Sequence, residues 1–519
     1  MVEEKNIIKI QEIFLGLSII ALPFDSIPDI FSISIVGTKL SLYFTIIALL
    51  SCIIRNIFWP KKTINNILYL YIRIYLCWQI ICLFHGVINY EYINFLKEFQ
   101  SNKLDLILKK FPIIVYYFDR EIIVKIYIFL RLSVNKVLLP TITCWGTVYL
   151  IYDLYMIKKE NMFFIIRRYV LILAFLCGIY SILEVFVLKF NNIYAYKLLK
   201  IINPYLYDVS VVHGWWPPLI WENQLRSLCT EPSHFGIIVS LIIPFLWSYL
   251  YESKNIKTIF TVAYFSFLIY LTQARTAIVL YIGELGLLYL ISIFERKKYF
   301  TTALIVTIIT SITFIAGAST FFDEKYTIKY KEYLNNNVLS IADSNARSNN
   351  ARYINLVTNI KVAEKHIIFG VGDGLKDAYI ANYLNYEDLN NQEVRNWQFD
   401  IYKNGPFKSE FPVVNGFINI IINNGIVGLI LWFLPMGYVI IKIYRNWFYL
   451  IQEYNFIFIL IAWIASIVAM FSNYIFLTYY ISLGAILTLL NYFNVSNVFR
   501  ANLGMLFAIT RSILPERHS

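Results

Sequence analysis

Charge is scarce in this chain. Only 15% of its 519 residues are Asp, Glu, Lys or Arg, against 59% hydrophobic and 18% aromatic, and the mean hydropathy is +0.60. A soluble domain does not present so little charge to water, which leaves a polytopic membrane protein. Cysteine is also sparse: Cys52, Cys77, Cys82, Cys144, Cys177 and Cys229 form no CxxC pair, and five of the six lie inside apolar runs. That argues against a disulfide framework or a thiolate metal site, and Cys229 reads as a small packing residue. There is no internal repeat. The first apolar run, 7–24, lacks a small-residue cleavage site and follows acidic Glu3 and Glu4, so it is expected to stay in place as a span. Nor is there a basic block. The net charge of +12 sits in short clusters between apolar runs, the arrangement of membrane topology and not of nucleic-acid binding.

What the chain does have is long apolar runs. A helix needs about 20 mostly apolar residues to cross about 30 Å of hydrocarbon. Twelve stretches meet that measure: 7–24, 31–54, 65–88, 134–157, 169–190, 233–251, 256–272, 276–294, 299–320, 413–441, 454–471 and 473–494. An all-α polytopic protein of about twelve spans, forming a single integral membrane domain over 1–519, is therefore expected. Arg55, Lys61 and Lys62, then Lys158, Lys159, Arg167 and Arg168, then Arg296 to Lys298, and Lys442 with Arg445 all fall in loops on one side. That bias predicts both termini to be cytoplasmic. Segments 89–133, 191–232, 273–275 and 321–412 then lie on the outer side. Residues 111–130, broken by Asp119, Arg120, Glu121 and Lys125, are too charged to span and read as amphipathic. The segment 321–412 is too long for a plain connection and is expected to fold or clamp; its Asn- and Ser-rich tract, 335–350, is expected to move. The tail, 496–519, is expected to be cytoplasmic; within it 496–515, with Arg500 and Arg511, reads as an interfacial amphipathic helix in preference to a thirteenth span.

Four constellations carry candidate chemistry. In residues 226–236, RSLCTEPSHFG, Glu231 before Pro232 is expected to be extended, with Pro232 in the first helical turn. The N–H groups of Ser233 and His234 then suit an anion, and Arg226 is close in sequence. A helix cap in which Glu231 pairs with Arg226 explains the same residues. Arg275, in a turn of very few residues, either joins that site or snorkels to headgroups. The third constellation holds Arg347, Arg352, Lys361, Lys365 and His366 and ends in GVGDG at 370–374. Those glycines are too closely set for a dinucleotide fingerprint and read as a tight turn. In the fourth, Asn415, Asn419, Asn423 and Asn424 stand at the start of a span, to bind either sugar hydroxyls or neighbouring helices. Arg73, Glu184 and Glu284 lie in spans, as interhelical partners or functional groups. Trp215, Trp216 and Trp221 read as an interfacial belt or as stacking platforms.

In their order, these motifs resemble the bacterial O-antigen polymerase and O-antigen ligase superfamily. The resemblance rests on R…EPS…G at 226–236, Arg275–Thr276, the Arg352 stretch running to GVGDG, and NG…NNGIVGL at 415–429, and it covers about 220–430. It implies an architecture similar to the C-type glycosyltransferases, an undecaprenyl-diphosphate-linked oligosaccharide as substrate, and no metal or other cofactor. It also implies a place in the bacterial inner membrane, with membrane lipid and a chain-length regulator as candidate partners. Arg226, Arg275 and Arg352 match its donor-binding arginines, as guanidinium forks suited to a diphosphate. His234, Asn415 and Arg347 are further candidate substrate-binding residues. Ligases carry a histidine where this chain has Asn415, nine residues or so before the glycine matched by Gly425. A neutral amide takes no proton, so the polymerase branch is expected. The base is then sought at Glu231 first, with His234, His213 and Glu410 behind it. A ligase, or a lipid-linked oligosaccharide flippase of similar span number, remains the alternative.

Overall fold

A computed structural model describes residues 2–33, 36–59, 66–99, 101–111, 116–158, 162–208, 224–295, 298–319 and 347–491. His213, Trp215, Trp216, Trp221, the 335–346 part of the Asn-rich tract and the 496–519 tail lie outside them. Arg347 lies at a helix start with its side chain outside them. The described residues form helices and no β-strand.

In chain order the helices are α1 (Val2–Ile20), α2 (Leu40–Phe58), α3 (Asn66–Ile88), α4 (Ile93–Lys97), α5 (Asn102–Lys110), α6 (Arg120–Leu132), α7 (Leu139–Lys158), α8 (Met162–Phe190), α9 (Ile193–Leu206), α10 (Pro232–Glu252), α11 (Ile256–Thr272), α12 (Arg275–Phe294), α13 (Lys298–Ser319), α14 (Arg347–Lys365), α15 (Lys376–Tyr383), α16 (Gln392–Asn404), α17 (Gly416–Leu450) and α18 (Tyr454–Ala469). A short apolar helix, α19 (Leu477–Asn491), follows. A helix stands at each of the twelve expected stretches. Seven described helices are long and apolar enough to cross a membrane, and α11, α18 and α19 are shorter apolar helices. The chain is thus an all-α polytopic membrane protein.

The axis of the bundle is α10, in which 16 of 21 residues are buried. A helix that is apolar all round has to be enclosed by others, and α8, α11, α12 and α18 pack against this one. At one end of α2, Arg55 (1% exposed) is paired with Asp153 of α7 and donates to Gln11 of α1 at 2.9 Å. Three helices are thereby joined at a buried charge.

The opposite end is built differently. A second apolar cluster joins Leu83 and Val87 of α3 to Leu104 of α5, Ile123, Val124 and Ile128 of α6, and Val362, Leu375, Ile401 and Phe411. In the described part of 111–130 and just beyond it, Ile123, Val124, Ile128 and Leu132 are buried, Lys125 pairs with Glu121 at 3.0 Å on a half-buried face, and Ile122, Ile126 and Leu130 are exposed. The segment 191–232 is also partly regular, since it contains α9.

One expected span is not a continuous helix. In α17, Gly425 has φ +67° and ψ −177°, roughly 13 Å beyond the helix start at 1.5 Å per residue. The carbonyls of Ile422 and Asn423 accept instead from the N–H groups of Val371 and Gly372 at 2.8 and 3.0 Å, and Ile426 N donates to Ile367 O at 2.7 Å. The Asn424 carbonyl accepts from Trp78 Nε1 at 2.9 Å. Loop 366–375 thus fills the break and satisfies backbone groups that lipid cannot. The GVGDG turn is structural, as expected. Gly370 has φ +68°, and a Cβ there would lie 2.5 Å from the Asn423 carbonyl carbon.

Candidate functional site

The expected motifs converge on the end of the bundle that carries the second core. Leu225 N donates to Leu271 O at 3.0 Å, which brings the turn before α10 against the α11–α12 turn. Gly236 packs on Ala277, where a Cβ would approach the alanine Cβ to 2.5 Å. Arg275 donates to Asn349 of α14 at 2.8 Å, and Asn355 of α14 to the Pro412 carbonyl at 2.9 Å. Gly416 N bonds to Met470 O at 2.7 Å. The segment after α18 returns to α10, with the Tyr474 ring 5.7 Å from that of His234. These contacts close a ring through all four constellations.

The described candidate residues are placed as follows. Arg226 is buried, and its Nε lies 3.9 Å from Glu184 rather than against Glu231; its guanidinium also lies over the Tyr207 ring at 5.3 Å. Glu184 holds the motif's backbone too, accepting from the N–H groups of Arg226 at 3.1 Å and Ser227 at 2.7 Å. Arg352 is exposed, one turn beyond Asn349. Glu231 is extended at the N-cap of α10, φ −130° and ψ 149°, with Pro232 first in the helix. Its carboxylate accepts from Ser233 Oγ at 3.0 Å. Asn415 is committed to capping α17, its Oδ1 accepting from Phe417 and Ile418 N–H at 3.0 and 3.1 Å. Asn419 and Asn423 each keep a buried carbonyl oxygen without a hydrogen-bond partner among the described residues. Glu284 keeps both of its carboxylate oxygens in that condition. Cys229 is fully buried in the main core. Arg73 stays exposed beside Tyr69, 4.1 Å from its ring.

Several charged groups here have partners that leave no signal in the local sequence. His234 Nδ1 is 2.7 Å from Asp25 in the α1–α2 connection. Lys39, in the same connection, sits 4.1 Å over the Tyr474 ring, and Lys136 pairs with Glu410. Asp377 accepts from Phe411 N–H at 2.8 Å. Lys376 lines a small pocket with Asn359, Asn415 and Asn419. Clusters of His, Cys, Asp or Glu fit to hold a metal are lacking among the described residues.

Burial shifts two of these carboxyls. Asp373 is pushed up to about 6, partly offset by a hydrogen bond from Asn424 and by Lys136 and Lys376. Asp377 is likewise pushed up to about 6 by burial, partly offset by Lys376. A carboxyl that titrates higher in the folded protein stabilises it fully below its ordinary value near 3.8. That contribution fades as pH rises through about 6, by about 1.4 kcal/mol for each pH unit separating the folded and unfolded values. Amide exchange over 366–383, corrected for its intrinsic pH dependence, is therefore expected to be slower at about pH 4.5 than at about pH 7.5, on either side of the folded value. Asp373→Asn should reduce the difference; an unchanged difference would show that this carboxyl is not responsible.

An all-helical, multi-pass membrane protein with a charged ring at one end of its bundle is the class that fold and site define. Residues 260–433 match the family model described as O-antigen ligase, in support of the resemblance to the O-antigen ligase and polymerase superfamily. The match runs from α11 to Phe433 of α17 and does not separate the polymerase branch from the ligase branch. No curated protein and no solved structure matches the chain.

Proposed function

We propose that this protein is an oligosaccharide repeat-unit polymerase of the bacterial inner membrane, with both termini in the cytoplasm and the charged ring on the outer face. It transfers a growing glycan from undecaprenyl diphosphate to a hydroxyl of a fresh lipid-linked repeat unit. The observation that carries this reading is Asn415. The position where ligases keep a histidine is here an amide whose oxygen caps α17, with no proton-accepting role to offer. Arg226, Arg275 and Arg352 are the donor-side groups, supplied by three separate elements at one end of the bundle. As the carrier leaves, charge accumulates on its diphosphate, and guanidinium groups stabilise that charge without a metal ion. Glu231, at a helix start beside His234, belongs to the acceptor side. Segments 89–133 and 321–412 supply the clamp over the glycan.

The test uses purified protein in proteoliposomes, given lipid-linked repeat units alone. Elongation into a polymer ladder is expected, as is its loss in the Arg226→Ala/Arg275→Ala/Arg352→Ala triple variant. Glu184 keeps its backbone N–H partners in that variant, so the turn should survive. Product appearing only after a second acceptor is added would instead identify a ligase, and translocation without elongation a flippase. A well-inserted triple variant with full activity would sink the arginine assignment.

A further inference from the structure

The hydrogen bonds around His234 distinguish its two ring nitrogens. Asp25 Oδ2 accepts from Thr230 Oγ1 at 2.9 Å and lies 2.7 Å from His234 Nδ1. An ionised carboxylate only accepts, here from the Thr230 hydroxyl and from the ring, so Nδ1 is the nitrogen that carries hydrogen. Nε2 then holds the lone pair. Its nearest acidic neighbour, Glu231 Oε2, is 3.9 Å away, beyond hydrogen-bond reach, and that oxygen already accepts from Ser233.

Asp25 is itself fixed by the chain around it. Thr38 Oγ1 donates to its carbonyl at 3.0 Å, while Leu40 N bonds to Phe24 O at 2.9 Å and Ile27 N to Thr38 O at 3.0 Å. On the ring's other side, Phe476 stands edge-on at 5.2 Å and stacks with Tyr474 at 4.2 Å. Asp25 and His234 side chains are each 14% exposed. A half-buried, oriented imidazole whose Nε2 has no hydrogen-bond partner among the described residues is the arrangement of a general base.

Its position meets a need left open by Asn415. The segment after α18 touches both residues. Asn415 Nδ2 donates to Phe471 O at 3.4 Å, and three residues on, Tyr474 packs on His234. The imidazole therefore stands across a single strap of chain from the start of α17.

We infer that His234 Nε2 is the general base for the acceptor hydroxyl and that Asp25 is its positioning residue. The inference rests on the glycosyl-transfer reading above. In the step, the acceptor oxygen bonds to the donor's anomeric carbon as the bond from that carbon to the diphosphate oxygen breaks. The hydroxyl proton passes to Nε2, and the bond's electron pair leaves with undecaprenyl diphosphate. The imidazolium formed is stabilised by Asp25.

The charged and titratable groups facing this imidazole are Asp25 from the α1–α2 connection, Glu231 from its own helix start and Tyr474 from the strap. Lys39 lies beyond Tyr474, and Cys229 lies near Asp25. The test is the pH profile of elongation by the full-length protein in proteoliposomes with lipid-linked repeat units. Wild-type kcat is expected to fall on the acid side of the profile, as expected where a base must be unprotonated to act. His234→Gln should lower kcat about 10²- to 10⁴-fold, leave KM within about twofold and abolish the acid limb. Asp25→Asn should lower kcat and move the limb to lower pH, because the carboxylate that favours the imidazolium is gone. A purely structural role for Asp25 would not move the limb. If Asp25→Asn does not fold, His234→Gln decides alone.

Wild-type kcat and acid limb in folded His234→Gln would overturn the inference and leave the transfer reading standing. Loss of the limb in Glu231→Gln but not in His234→Gln would overturn it in favour of the glutamate. A wild-type protein that never elongates the substrate would remove the reading beneath it.

Discussion

Alanine at Gly425 is expected to destabilise the protein by about 3–5 kcal/mol, through a left-handed backbone forced on an L-residue and overpacking at a fixed neighbour. The added Cβ would lie 1.9 Å from the Ile368 carbonyl oxygen. That atom belongs to the backbone and has no rotamer to escape through. The loop must leave the helix break or the break must close, and each route strands backbone groups that now serve one another. Gly437 is the control. It lies in the same helix with nothing within 4 Å of an added Cβ, so Gly437→Ala should be neutral or slightly stabilising. Thermal unfolding in detergent compares the two, and amide exchange should report loss of protection at 366–375 in Gly425→Ala alone. Equal melting temperatures for both variants would show that the docked loop contributes little.

The second large effect belongs to the other end of the bundle. Asp153→Ala leaves Arg55 charged and 1% exposed, with the neutral side chains of Gln11, Asn56 and Cys52 around its guanidinium. Breaking one side of a buried pair costs about 3–5 kcal/mol, whereas replacing both sides by apolar residues of similar volume is often neutral. Asp153→Ala is thus expected to unfold well below the wild type, and Arg55→Met/Asp153→Leu to recover most of the loss. Comparable stability of the single and double variants would mean that the pair is solvated in the membrane protein. Both variants leave the charged ring untouched, so residual activity should follow the folded fraction.

The helices are legible in the sequence because length and hydropathy report directly on what a bilayer demands. The first turn of α10 is legible for a local reason: Pro232 restricts Glu231 to extended backbone and suits the first helical position. The GVGDG turn is legible from glycines set too close for a nucleotide loop. The break in α17 is not. Asn423, Asn424 and Gly425 sit inside an apolar run whose composition fits an unbroken span, and the loop that fills the break lies some fifty residues earlier. The same limit applies to the site. Asp25 and His234 are 209 residues apart, and Glu184 precedes Arg226 by 42. Neither pairing leaves a mark on its own neighbourhood in the chain, so the sequence around Arg226 points to Glu231 as a partner while the fold supplies Glu184.

The second apolar core also has a consequence for biosynthesis. Its early half, α4 to α6, is made long before its late half, and the Lys136–Glu410 contact beside it spans 274 residues of chain. At about 5–20 residues per second, that interval lasts on the order of tens of seconds. For that time Ile123, Val124 and Ile128 have no partner on α14 to α16, and an amphipathic helix in that condition rests on the bilayer surface. The second core is therefore a post-insertional assembly: the spans can be in place while this end of the bundle is still half a core, waiting on the lipid.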